Sequence, residues 1–282
     1  MNKVRLIREI NRPGGCGPLN GQYALQKALR KRGAGWLEIG GTLRHGEIPW
    51  FWCWKDRDLA AFYAELGKPF AVGPNVLFED SRRPCRIAAE ERICRAASCR
   101  LMFTESDWYR RLIEEHRGAN NRGPIVLWPY PIDPLPGRPL PAEYDLLVYV
   151  KGRCGPGLVE RLGRSFGRVY RLDYGCFCRE ELFAVARRSR CCAYLSTDDR
   201  GPLALAEILL AGCPAIGVPT GAPFIQPGRT GELLDRLRPR ACTAAVRRCH
   251  RLERRRVAAL AAVQFDSERI VDVVLSALGS LA

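Results

Sequence analysis

One rhythm constrains this chain more than any other feature. Short apolar segments alternate with stretches of helical spacing, and the pattern runs twice along the sequence with a proline-rich break between. Residues 4–9 read as a strand. After a glycine-rich stretch at 12–21, residues 22–33 read as a helix stopped by Gly33. Apolar segments follow at 36–40, 48–54, 68–72, 100–103 and 125–128. Helical stretches lie between most of them, at 59–66, 85–97 and 107–116, the last capped by Ser106. Strands alternating with helices predict a parallel sheet covered on both faces.

Residues 128–145 break the rhythm. Proline cannot continue a helix or a central strand, so this stretch reads as a linker. The alternation then restarts, with strands at 146–150, 168–174, 191–195 and 214–218. Helices are expected near 157–166, at 179–189 and at 202–212. A single helix is expected around 241–262, and a last one begins at Asp266–Ser267. A chain of 282 residues accommodates two such domains. The expected fold is α/β, with two Rossmann-like parallel-sheet domains facing a cleft. Residues 1–135 form a compact N-terminal domain and 136–264 the C-terminal one, with a helix at 265–282 near the junction.

Composition narrows the class. Hydrophobic residues are 47% and charged residues 27%, the balance of a globular protein. There is no run of 18 apolar residues and no apolar core of a secretory signal near the start, so a cytoplasmic protein is expected. The 13 cysteines lack metal-ligand spacing and are read as small core residues, with Cys191 and Cys192 pointing to opposite faces. The formal charge of +15 suits an anionic partner: a nucleotide, a nucleic acid, or an acidic membrane surface met by the basic segment 247–256. An arginine-rich codon bias would give the same charge.

In open parallel sheets, ligands bind beyond the carboxyl ends of the strands, where helix N-termini favour phosphate. Three loops qualify. In 196–214, Asp198 and Asp199 precede a helix that carries Glu207, with Gly201 and Pro202 at its start. Two carboxylates so spaced suit the two ends of an elongated ligand; N-capping and a solvated helix face are the plain alternatives. In 217–234, backbone amides around Thr220, Gly221 and Ala222 would cradle an anion, or simply connect two elements. In 150–157, Lys151 and Arg153 would meet a phosphate, or serve as surface charge.

These segments resemble the retaining glycosyltransferases of the GT-B fold, family 4. Asp199 and Glu207 keep that family's spacing of two carboxylates, although Asp199 is one methylene shorter than the usual glutamate. Residues 208–219 are similar to its helix end, Gly-Cys-Pro and next strand, and 227–234 to its Thr-Gly turn. Residues 128–133 resemble the end of its N-terminal domain, and the loop at 14–21 sits where the family has its own. The resemblance implies a nucleotide-diphosphate sugar as donor substrate, held by the C-terminal domain, with no other cofactor and no metal on the diphosphate. Glu207 would hold the ribose and Asp199 the sugar hydroxyls. Lys151, Arg153, the amides near Gly221 and the loop from Gly17 to Gly21 would stabilise the leaving diphosphate. The acceptor, whether glycan, lipid or protein, is not identified.

Other residues are weaker candidates. His45 follows a strand and could contact the sugar or serve as a base, or be an ordinary surface or core histidine. Asn75, Glu79 and Asp80 are candidates for acceptor contacts. Trp50, Trp52 and Trp54 share a face by alternation, which suits core packing or stacking on a sugar or lipid. A sugar-nucleotide epimerase, a silent nucleotide-sugar binder and a transferase acting on nucleic acid fit the same features.

Overall fold

The computed structural model describes residues 3–11, 18–78, 87–132, 137–152 and 156–282. Arg153, Gly17, Glu79 and Asp80 lie outside these residues. Two compact units divide the chain. One holds the first strand, residues 22–131 and the C-terminal 267–282; the other holds 132–266 and the residues just before 22.

The first unit runs β1 (Val4–Leu6), α1 (Pro18–Arg32), β2 (Leu37–Ile39), β3 (Ile48–Cys53), α2 (Arg57–Glu65), β4 (Phe70–Asn75), α3 (Ala88–Arg95), β5 (Cys99–Thr104), α4 (Asp107–His116) and β6 (Ile125–Leu127). Its six strands are all parallel, in the order β2-β1-β3-β4-β5-β6. The central strand β3 is buried at every residue, as its unbroken apolar run requires. Trp50 and Trp52 are fully buried and begin a line of tilted and edge-on rings through Phe103 and Trp128 to Tyr130. They are core, so the stacking role falls away. Trp54 does not share their face: the strand ends at Cys53, and Trp54 enters a 3-10 turn, 53% exposed. Ser106 caps α4 as expected, its hydroxyl accepting from Tyr109 N at 3.3 Å.

The second unit runs β7 (Leu146–Val150), α5 (Pro156–Ser165), β8 (Val169–Asp173), α6 (Arg179–Arg187), β9 (Cys192–Leu195), α7 (Leu203–Leu210), β10 (Ala215–Gly217), β11 (Gly231–Leu233), α8 (Pro239–Cys249) and α9 (Arg254–Gln264). Its five parallel strands lie in the order β11-β10-β9-β7-β8. Cys191 enters the core on the α5/α8 face and Cys192 the core on the α6/α7/α9 face, as alternation predicts. The described cysteines are free thiols, and all are buried except Cys176 and Cys178. The last helix, α10 (Ser267–Gly279), belongs to the first unit, where Glu268 and Asp272 pair with Lys31 and Arg32 of α1. Among the described residues, no helix is long and apolar enough to cross a membrane.

Three elements differ from the sequence expectation. The glycine-rich loop ends sooner, because α1 starts at Pro18; Gly21 is therefore a buried residue of its first turn and not part of a loop. β11 was not expected. The single helix over 241–262 is two helices, because α8 covers one face of the sheet while Val257, Ala261 and Phe265 carry α9 to the core on the other. No glycine or proline marks the crossing at 250–253.

Arg254 fixes that crossing. Its guanidinium donates to Gly212 O at 3.2 Å, Leu140 O at 2.6 Å, and the Ala186 and Arg187 carbonyls at the end of α6. Among the described residues no carboxylate shares it, and burial pulls its pKa below the usual guanidinium value. Hydrogen bonds from a charged donor to buried carbonyls are strong contacts. Arg254→Met is expected to lower unfolding stability by about 3 kcal/mol, read as an earlier midpoint in urea; an unchanged midpoint would contradict the clamp.

Candidate functional site

The second sheet reverses its winding between β7 and β9. From β7 the chain moves outward to β8, then crosses back to the other side of β7 for β9. Such a switch leaves a crevice at the carboxyl edge, because the two following loops leave in opposite directions. Lys151 follows β7 and Asp199 lies in the loop after β9, so the two residues come from the two sides of the switch.

They meet there. Lys151 Nζ donates to Asp199 Oδ2 at 2.7 Å, and Tyr194 OH donates to the same oxygen at 2.9 Å. Tyr194 is the penultimate residue of β9 and stacks flat on Tyr149 of β7, centroids 4.7 Å apart. The Lys151 ammonium also lies 5.0 Å over the Tyr174 ring. Burial pushes the Asp199 carboxyl up, while Lys151 and Tyr194 pull it back. Burial also raises both tyrosines, so they stay neutral hydrogen-bond donors. Asp199 is 7% exposed, whereas the Lys151 side chain is 29% exposed. The lysine side chain is thus partly open to solvent, and the buried Asp199 carboxylate holds its ammonium.

Neither plain reading of Asp199 and Glu207 holds. Asp199 N donates to Thr220 O, and α7 is N-capped by Pro202 with no side-chain acceptor. Among the described residues no side chain caps the first-turn amides of α7, at the carboxyl edge where helix geometry favours an anion. Gly201 and Pro202 shape this entry, Pro202 buried. Glu207 is not on a solvated face. Its side chain is 12% exposed and pairs with Arg179 at the start of α6. Burial raises its carboxyl, and Arg179 opposes the rise.

The loop after β10 does something other than expected. The amides of Gly221 and Ala222 both donate to Val218 O, at 3.0 and 2.7 Å, and Thr220 Oγ1 donates to Thr197 O. The Gly221 and Ala222 amides and the Thr220 hydroxyl are thus spent within the protein, which leaves them no donor for an anion. A Cβ on Gly221 would stand 1.8 Å from Ser196 O; the glycine lets this loop lie against the loop that carries Asp199. Gly231 does the same for β11, where a Cβ would meet Ala215 O at 1.8 Å. Thr230 Oγ1 accepts from Gln226 N, so the Thr-Gly turn builds the sheet edge.

In the first unit, His45 is exposed on the turn just before β3, at the amino edge of that sheet and not the carboxyl edge. Asn75 ends β4 at the carboxyl edge, half-buried. Tyr194 and Arg179 were missed from sequence, because nothing in a strand tyrosine or a helix-start arginine signals its partner. Among the described residues, no group of three or more His, Cys, Asp or Glu side chains is placed to hold a metal ion.

No family model matches the chain, and no curated protein sequence matches it. Solved structures do. Sucrose-phosphate synthase from Thermosynechococcus elongatus matches with a TM-score of 0.71 at 13% identity, covering 100% of this chain and 99% of that one. HepE from Anabaena, in complex with UDP and glucose, matches with a TM-score of 0.66 at 12% identity, covering 99% and 100%. AviGT4, a glycosyltransferase involved in avilamycin A biosynthesis, matches with a TM-score of 0.58 at 15% identity, covering 100% and 98%. The two parallel-sheet units are those of the GT-B fold. At such identities the likeness defines the fold.

Gly221→Ala is expected to destabilise the second unit by about 2 kcal/mol, the cost of forcing two packed loops apart. A melting temperature equal to that of the wild type would show that the contact with Ser196 is not needed.

Proposed function

We propose that this protein is a glycosyltransferase whose second unit binds a nucleotide-diphosphate sugar at the carboxyl edge of its sheet. One observation carries the reading: the Lys151–Asp199–Tyr194 cluster sits at the topological switch of a GT-B donor-type sheet, beside the uncapped start of α7. Lys151 keeps two further N–H donors for an oxygen of the leaving diphosphate. The α7 amides share that charge, preorganised and needing no rearrangement as the sugar–phosphate bond breaks. Asp199 chiefly positions the ammonium and offers its second oxygen to a sugar hydroxyl. Glu207, five residues into α7, accepts from the ribose hydroxyls, with Arg179 holding its carboxylate in place.

HepE has been crystallised with UDP-glucose as well as with UDP and glucose. A uridine donor is accordingly the first to try. Transfer with retention, and without a metal on the diphosphate, follows from the resemblance of residues 191–234 to the family 4 transferases. We assign no reacting role to His45, which lies at the amino edge of its sheet, and read Gly21, Gly221 and Ala222 as packing residues.

Thermal-shift titration with UDP, ADP and GDP and their glucose conjugates tests the reading. One of them raises the melting temperature, since a ligand of the native state alone stabilises it. Glu207→Ala abolishes that shift. Lys151→Gln weakens binding of the diphosphate about tenfold, and of the matching nucleoside hardly at all. No shift with any nucleotide, or full affinity in Glu207→Ala, would remove the assignment. A donor that binds but is never turned over would leave nucleotide-sugar recognition as the activity.

A further inference from the structure

A second concave surface lies elsewhere on the same unit. Helices α5 and α8 pack side by side over the sheet, and a groove of about 530 Å³ runs along their outer sides. Arg161 and Arg164 line one wall and Arg240 and Arg247 the other, with Thr243 between them. All four arginines are exposed. Arg161, Arg240 and Arg247 have no ion pair among the described residues, and Arg164 reaches only Glu160 of its own helix, at 3.6 Å with both side chains in solvent. Four guanidiniums around one concave surface, with a single solvent-exposed acid beside them, make a local positive field. Arg161 and Arg164 lie in the second half of α5, which runs back from the carboxyl edge, away from Lys151.

We propose that this groove binds a small anion carrying several phosphate groups. Its volume falls within the roughly 300–1,000 Å³ of small-molecule sites. Guanidinium forks match phosphate oxygens two at a time. Arg240 and Arg247 are two helical turns apart, about 10 Å along the axis, so one phosphate cannot engage both and a chain of them can. The rim at Pro239 and Arg240 is the start of α8, whose N-terminus has no side-chain cap. No aromatic side chain lines the groove, so it has no platform on which nucleic-acid bases would stack. No large apolar side chain lines it either, which leaves nothing to insert into a bilayer. The ligand is recognised through its phosphates, whether it is free or forms the headgroup of a lipid.

The proposal is independent of the donor site, and its test separates the two. The probe is sodium tripolyphosphate, titrated calorimetrically at low salt into the wild type, R240Q/R247Q, R255Q/R256Q and K151Q. Arg255 and Arg256 are exposed on α9, outside the groove, and their substitution removes the same net charge. The expected result is a loss of about tenfold or more in affinity for R240Q/R247Q. R255Q/R256Q stays near the wild type, and K151Q keeps the component that R240Q/R247Q loses. Equal melting temperatures show that the exposed substitutions leave the fold intact. Unchanged binding in R240Q/R247Q, or an equal loss in R255Q/R256Q, would overturn the proposal. So would binding of a single-stranded RNA through these arginines without binding of tripolyphosphate. Pelleting with phosphatidylcholine vesicles that contain phosphatidylinositol bisphosphate, lost in R240Q/R247Q, supports it and assigns the phosphates to a lipid. Tripolyphosphate binding without pelleting supports it and assigns them to a free ligand.

Discussion

A single oxygen, Asp199 Oδ2, accepts from a strand tyrosine and a lysine at once, and the candidate site depends on that arrangement. The carboxylate is buried, and a buried charge is tolerated only when it is paired and hydrogen-bonded. Tyr194 cannot turn away, because its ring is held flat against Tyr149 within the core. The oxygen is thereby fixed to the sheet, and so is the ammonium that binds it. A flexible lysine on a loop becomes a positioned cation without being buried itself. The short aspartate side chain keeps the carboxylate close to the strand ends, within reach of a tyrosine hydroxyl in β9.

Around that pairing the loops approach closely because glycines permit it. Gly221 lies against the Ser196 carbonyl, and Gly231 against that of Ala215. The Thr220 carbonyl then accepts from Asp199 N. The backbone of the β10 loop thus steadies the residue that holds Lys151. These glycines serve the site through packing.

The architecture was legible in sequence because it rests on the period of apolar residues. Short apolar runs such as residues 48–53 and 146–150 read as buried parallel strands, even with Pro49 inside the first, and a stretch as dense in proline as 128–145 breaks the alternation. What stayed hidden depends on contacts distant in sequence. The break between α8 and α9 carries no helix-breaking residue; it is set by which face of the sheet each helix must cover. β11 is three residues long and exists because Gly231 can lie against β10. Asp199 and Glu207 stand out in sequence by their spacing. Their partners, Lys151 and Tyr194 in one case and Arg179 in the other, are 48, 5 and 28 residues away. Only the folded sheet brings them together. The anion cradle at Gly221 and Ala222 failed for a related reason: glycine in a loop signals close approach, and sequence does not say whether the approaching group is a ligand or another loop.

The strong positive charge divides into spent and unspent parts. Arg5 is locked to Glu47 with both side chains buried, and that carboxyl is held down to about 2 by the guanidinium. Arg57 is paired with Glu90, and Arg254 is consumed by four carbonyls. These arginines belong to the fold, so a partner gains nothing from them. Lys151 is shared, one donor inward and the others outward. Arg161, Arg240 and Arg247 give nothing to the protein that the described residues show. Charge left unneutralised on one wall-to-wall groove differs from charge scattered over a surface, because the field of four guanidiniums adds where they face each other. A net charge of +15 read from composition only says that some anion is welcome. Of the unspent arginines, those that line one groove mark where on this molecule we place it.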